Sequence, residues 1–244
     1  MSVIRCIDFE TTDEPPDAAV CEAGYCDLIN LGEAGWQIPT WTPAGAAAPV
    51  EHWVSHLVDP ERFISPKASA VHHLVDEDVK GMPTWAAVEP SLRVGDPVLF
   101  SSHQVKFERA FFDPPGARWI CTWKVALRMA TQAPSWSLQA LRYWLGLKVD
   151  RALASPAHRA GPDSYVGAHL LRRMLAKGQF SVDQMVAISA EPAMLPRITF
   201  GKHKDSAWDE VPIDYLFWIT DKSDMDEDVK FTARHWIKER HARR

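Results

Sequence analysis

The first ten residues place the tightest constraint on the fold. Val3-Ile-Arg-Cys-Ile-Asp-Phe9 is an apolar run with the content of a buried strand, and two acids separated by one residue, Asp8 and Glu10, stand at its end. Residues two apart on a strand point to the same face. A chain that buries this strand in a sheet therefore holds two carboxylates side by side at its mouth. Carboxylates that close are costly unless something positive lies between them. A magnesium ion, which takes hard oxygen ligands and keeps waters, is the usual answer.

The rest of the chain supplies the sheet and its cover. Val20 to Leu31 and His52 to Val58 read as strands; Gly32 to Val50, rich in Gly, Pro and Ala, reads as a hairpin tip or surface insertion. Ser65-Pro66 is a helix start, with Ser as cap and Pro at the first helical position, and two or three short helices fill Ser65 to Val94. Pro97 to Ser101 and Arg118 to Cys121 are short apolar strands. Gln104 to Phe112, Thr122 to Thr131 and Ser137 to Leu145 are helical. Pro162 to Lys177 is a long amphipathic helix, with Val166, Leu170, Leu171 and Met174 at helical spacing. Strands alternating with helices imply an α/β fold, a mixed sheet with helices packed on it.

A length of 244 residues fits one such domain plus a small appendage. The composition changes after about Phe180. Residues 1–180 are expected to form the main domain. Residues 192–244 are expected to form a small α-rich module, with a tight turn at Thr199 to Lys204 and helices at Pro212 to Ile219 and Met225 to Arg240. From Lys230 onward the module carries Lys230, Arg234, Lys238, Arg240, Arg243 and Arg244 against Glu239 alone, a candidate contact for a nucleic-acid backbone.

Two further signals join Asp8 and Glu10. Glu108 follows His103-Gln104-Val-Lys-Phe107 near the first turn of a helix, and His158-Arg-Ala-Gly-Pro-Asp163 puts a histidine before a helix and an acid inside its first turn. Each acid alone has a plain explanation, as a solvated charge or as a complement to a helix dipole. Together, four acids and one histidine at element ends match two-metal phosphodiester hydrolysis, with metals ~3.5–4 Å apart activating water and stabilising the leaving oxygen. A neutral histidine nearby can take the proton of the water.

In this order and spacing, from Ile4 to about Leu175, the chain resembles the DEDDh, or DnaQ-like, 3′→5′ exonucleases. Their D-x-E is matched by Asp8 and Glu10, the acid after H-N-x-x-F by Glu108, and H-x4-D by His158 and Asp163. The resemblance implies a ribonuclease H-like fold. It also implies that Asp8, Glu10 and Asp163 hold two Mg2+ ions, which Mn2+ could replace, with Glu108 assisting through a water. His158 would be the general base, and DNA 3′ ends would be cut to nucleoside 5′-monophosphates. The family layout makes Phe9, Thr11, Thr12, His72, His103 and Phe107 candidates for substrate binding. Three positions depart from the pattern. Glu108 stands where Asp is usual and His103-Gln104 where His-Asn is usual. Thr12-Asp13-Glu14 replaces a T-G-L whose leucine wedges between terminal bases.

Bulk properties agree with an enzyme-like protein. Hydrophobic residues make up 46% of the chain, including 11 Trp, enough for a core. The net charge of −5 excludes binding of nucleic acid by bulk positive charge but not a nuclease whose metals restore that charge. Cys6, Cys21, Cys26 and Cys121 form no C-x-x-C pair and are expected as reduced core thiols. Met1 to Arg5 lacks a signal pattern and no apolar run approaches ~20 residues, so a cytoplasmic protein is expected. No G-x-S-x-G or G-x4-G-K-[ST] is present, which sets aside serine hydrolases and P-loop enzymes. The remaining alternatives are an RNA 3′ trimming enzyme, a polymerase proofreading subunit and a non-catalytic nucleic-acid-binding module.

Overall fold

A computed structural model describes residues 2–42, 49–97, 99–222 and 224–242. Its centre is the strand expected from the N-terminal run, β1 (Val3–Thr11), flanked on both sides. On one side β2 (Val20–Asn30) runs antiparallel to it, and β2 in turn pairs with β3 (Trp36–Gln37). Two short strands, β4 (Thr40–Trp41) and β5 (Val50–Glu51), pair with each other. The next strand, β6 (Val54–Leu57), returns to the far edge of β2. On the other side of β1, β7 (Leu99–Ser102) and β8 (Trp119–Cys121) run parallel. The segment expected as a hairpin tip is thus threaded by short strands, and its residues 43–48 lie outside the described residues.

The helices follow the local signals. α1 (Pro66–His72) starts where Ser65 caps it, its hydroxyl accepting from Ala68 N, with Pro66 at the first helical position. Short helices α2 (Asp76–Val79) and α3 (Trp85–Val88) follow, and α4 (Val105–Glu108) leads out of β7. This helix is shorter than the expected Gln104 to Phe112. It gives way to a turn ahead of Asp113-Pro114-Pro115, as residues before proline avoid helical backbone. α5 (Thr122–Met129), α6 (Leu138–Trp144, capped by Ser137), α7 (Ala160–Lys177) and α8 (Val182–Ala190) complete the main unit. α7 begins two residues earlier than expected, so Pro162 is its third residue. That position is also free of an intrahelical N–H partner and tolerates proline.

The pleat of β1 sorts its side chains into two layers. Ile4 and Cys6 join Cys26, Leu28 and the α7 residues Tyr165, Val166, Leu170 and Leu171 in one core. Ile7 and Phe9 face the other way, into a core with Ala23, Leu92, Phe112 and Trp119. Asp8 and Glu10 share the parity of Ile4 and Cys6, so α7 covers the face on which they stand.

The C-terminal segment has a core of its own, built from Ile198, Trp208, Leu216, Ile219 and Ala233. It comprises a turn at Gly201–His203, α9 (Ile213–Lys222) and α10 (Glu227–Ala242). Two arginines of the basic helix are used internally. Arg234 pairs with Glu227, and Arg240 donates to the carbonyls of Trp208 (3.1 Å) and Asp209. Arg243 and Arg244 lie outside the described residues. All four cysteines are buried free thiols. Among the described residues no helix is long and apolar enough to cross a membrane.

Candidate active site

The acids of β1 meet α7 because β2 lets the helix come close. Gly24 lies directly opposite Asp8 in the β1–β2 ladder. A Cβ at Gly24 would stand 2.3 Å from Ala160 C and 2.5 Å from Gly161 N, so the helix start rests on bare strand backbone. Gly161 in turn lies under the Trp53 ring, whose carbons would stand 2.3 Å from a Cβ there. Trp53 is held by its indole N–H, which donates to Leu153 O (3.0 Å). Less than one helical turn beyond this packing, Asp163 comes onto the face of Asp8 and Glu10. One carboxylate oxygen from each of the three lies within 4.8 Å of the others.

Asp163 is oriented from both sides. Gln139 Nε2 of α6 donates to Oδ1 (2.5 Å) and His158 N donates to Oδ2 (2.9 Å). The Gln139 amide is itself fixed, because its Oε1 accepts from Arg142 (3.2 Å). His158 adopts a left-handed backbone (φ 58°), which turns the chain into α7 and leaves its side chain exposed. Glu108 is buried beside β7 and stands outside the three-acid group. Its Oε2 has no hydrogen-bond partner among the described residues.

The electrostatics of this group are those of buried, mutually repelling carboxylates. Burial, followed by the carboxylates of Glu10, Asp163, Glu108 and Glu22, pushes Asp8 well above the ordinary aspartate range. Burial and the neighbouring Asp163 and Glu22 raise Glu10 to about 8, against the pull of Arg159. Burial raises Glu108 to about 7 and lifts Asp163 despite its two donors. Converging carboxylate oxygens and a buried oxygen without a donor are what a hard divalent cation requires; the donor set fits magnesium or manganese.

A cleft of about 150 Å3 opens beside Glu10 and is lined by Thr11, Lys67, Val71, His72 and Phe107. Its rim also carries Asp13 and Glu14, the acids that stand where a wedge residue was expected. The six residues expected at the substrate are distributed unevenly. Phe107 and Thr11 border the cleft, although the Thr11 hydroxyl is tied to Asp13 O (2.7 Å). His72 borders it with a buried ring. Nδ1 accepts from Leu74 N (3.0 Å), so Nε2 carries the proton and donates to Thr11 O (3.2 Å). Thr12 is buried and accepts from Ala19 N (3.0 Å). Phe9 lies in the opposite core, edge-on to Trp85. His103 spans Thr122 Oγ1 (3.0 Å) and Trp136 O (2.8 Å), and burial lowers its pKa to about 4, so it is a neutral clamp with both nitrogens engaged.

Residues not singled out in the sequence join the site: besides Gln139, Lys67 and Val71, these include Glu22 and Arg159. Glu22, directly opposite Glu10 on β2, is buried, and Arg159 pairs with it (2.7 Å). A lone acid inside the apolar run Val20-Cys-Glu-Ala23 was the available signal.

No family model matches the chain. Exodeoxyribonuclease 10 of Escherichia coli (strain K12) is 30% identical over 189 residues, 76% of this chain and 84% of that protein. The solved structure of Exonuclease X in complex with 5′-overhanging duplex DNA is similar with a TM-score of 0.63 and 27% identity, covering 77% of this chain and 99% of that one. The nuclease domain of a DEDDh-family 3′-exonuclease bound to rAMP shares the fold at a TM-score of 0.53 and 19% identity, over 72% of this chain and 93% of that one. The mixed sheet, the helix laid across its acidic face and the match to Exodeoxyribonuclease 10 agree: the chain belongs to the DEDDh exonuclease family, with its ribonuclease H-like fold.

Proposed function

We propose that this protein is a divalent-metal-dependent 3′→5′ exodeoxyribonuclease that releases nucleoside 5′-monophosphates. The observation that carries the reading is the convergence of Asp8, Glu10 and Asp163 beside a cleft of about 150 Å3. DNA is preferred as substrate because Exodeoxyribonuclease 10 acts on DNA by name and the Exonuclease X structure holds a DNA duplex.

Asp8, Glu10 and Asp163 would hold two Mg2+ ions, with Mn2+ able to replace them, and Glu108 would assist from its buried position. Bound there, the cations supply charge for the phosphodiester and make water a better nucleophile. The chain does the rest. His158, whose side chain is exposed, accepts the proton of the attacking water. Gln139 and the His158 N–H keep Asp163 from rotating away. Thr11, Val71, His72 and Phe107 form the wall against which the terminal nucleotide rests, and Lys67 is the cation at its edge. Residues 1–180 constitute the nuclease domain and 192–244 a separate module in a cytoplasmic protein. With Arg234 and Arg240 engaged internally, nucleic-acid contact by the module falls to Lys202 and Lys204 on its turn and to Lys230 and Lys238 on α10.

The test is digestion of 5′-labelled 3′-recessed duplex DNA, single-stranded DNA and RNA with Mg2+, Mn2+ or chelator. A metal-dependent ladder that shortens from the 3′ end of DNA, absent for Asp8→Ala, is expected. Faster shortening of RNA would make the protein an RNA trimming enzyme, and equal cleavage by Asp8→Ala would refute the site.

A further inference from the structure

Glu22 occupies an unusual position. It faces Glu10 directly across the β1–β2 ladder and is 3% exposed, an arrangement in which like charges repel. Both of its oxygens are saturated. Oε1 accepts from Ser55 Oγ (2.7 Å) and Arg159 Nη2 (3.0 Å). Oε2 accepts from Arg159 Nε (2.7 Å) and Ala160 N (3.1 Å). A carboxylate holding four donors has no lone pair left for a cation, and Glu22 stands outside the three-acid group.

What Glu22 holds is the start of α7. Ala160 N is one of the donors that a helix leaves without an intrahelical partner, and a carboxylate there complements the helix end. Arg159, the residue before the helix, makes no cap with its own side chain and reaches across to β2 instead. These two residues sit between His158 and Asp163. Glu22 thereby ties the turn that carries the proposed base and the third acid to the strand opposite Glu10, in a fixed register with Asp8 and Glu10.

We propose that Glu22 is a positioning residue of the reaction, acting through Arg159 and Ala160 N to set His158 and Asp163 against Asp8 and Glu10. The proposal rests on the reading of the site given above. Partners that orient metal-binding groups typically contribute 10–100-fold to affinity or activity.

The experiment compares the full-length parent with Glu22→Gln and Arg159→Lys. Glu22→Gln keeps the shape and loses the charge. Arg159→Lys keeps the charge and loses the bidentate grip. Mn2+ binding is read by the paramagnetic resonance of free Mn2+, without substrate, and kcat and KM are read on 3′-recessed DNA. Both variants are expected to weaken Mn2+ binding and lower kcat by about 10–100-fold with KM nearly unchanged, Arg159→Lys less than Glu22→Gln. A folded Glu22→Gln with parental Mn2+ affinity and kcat overturns the proposal. If Glu22→Gln does not fold, Arg159→Lys, altered at a partly exposed side chain, decides in the same way. A parent that binds Mn2+ but cleaves nothing refutes the exonuclease reading, and the Mn2+ comparison then decides the role of Glu22 alone.

Discussion

Substituting Gly24 by alanine tests whether the approach of α7 to the sheet sets the site. The added methyl would stand 2.3 Å from Ala160 C, 2.4 Å from Ala160 O and 2.5 Å from Gly161 N. Carbon contacts settle at about 3.5–4.0 Å, so strand and helix must separate by about 1 Å. The obstacle is backbone on both sides, so no rotamer change relieves it. β2 is hydrogen-bonded to β1 on one edge and to β6 on the other, which leaves the helix start as the part that moves. Asp163 moves with it. A displacement of about 1 Å at a reacting centre costs about 100-fold in rate. Overpacking of this kind destabilises by about 1–3 kcal/mol, or about 2–12 °C in Tm for a domain of this size. Gly24→Ala should therefore remain folded at 25 °C yet lose about two orders of magnitude in kcat. Calorimetry and single-turnover digestion of labelled DNA check both halves. A folded Gly24→Ala with kcat within threefold of the parent would show that the helix approach does not set the site.

Asp8→Asn should raise the Tm of the metal-free protein, since it removes a buried carboxylate raised by burial and by four acidic neighbours. The same change should abolish the gain the parent shows with Mg2+ or Mn2+, about 2.7 kcal/mol at a hundredfold excess over Kd; a dye-binding melt distinguishes the two. Metal-free stability should also fall with rising pH. The folded-state values of Glu10, about 8, and Glu108, about 7, lie above their unfolded ones. Their favourable contribution is complete below about pH 4.5 and is lost as pH rises through about 7 and 8. Calorimetry from pH 5 to 8, with chelator and with Mg2+, should show the slope only with chelator. Glu108→Asp should keep at least about a tenth of the activity and Glu108→Ala about a hundredth or less, on the scale of 10–100-fold for groups that support a metal, measured by digestion in Mg2+.

What the sequence made legible was local. The strand at Val3, the cap at Ser65, the helix after Ser137 and the spacing of His158 and Asp163 depend on periodicity or on neighbours a few residues apart, and the structure has each of them. Phe9 was legible too, and its placement among possible substrate contacts ignored the pleat. A residue between Asp8 and Glu10 must face the opposite layer. Contacts between distant segments left little trace. The clamp on His103 needs a carbonyl at Trp136, and the grip on Glu22 needs Arg159, in each case brought near by the fold. The charge of the last helix was visible, but not that Arg234 pairs with Glu227 and Arg240 with the carbonyl of Trp208.

Why so many acids tolerate one another here follows from the division of labour among them. Glu22 is neutralised within the protein, by four donors that include a guanidinium and a helix N-terminus. Asp163 is held by two donors, which work against the rise that burial imposes on its pKa. Burial and the neighbouring carboxylates push Asp8 and Glu10 up, and Oε2 of Glu108 is buried with no donor among the described residues. The deficit is thus graded, and least at the edge where α7 is anchored. A site in which every acid were satisfied internally would gain nothing from a cation. One in which none were would not hold its geometry without it. The anchored acids fix the positions, and the unsatisfied ones would supply the attraction for a divalent metal.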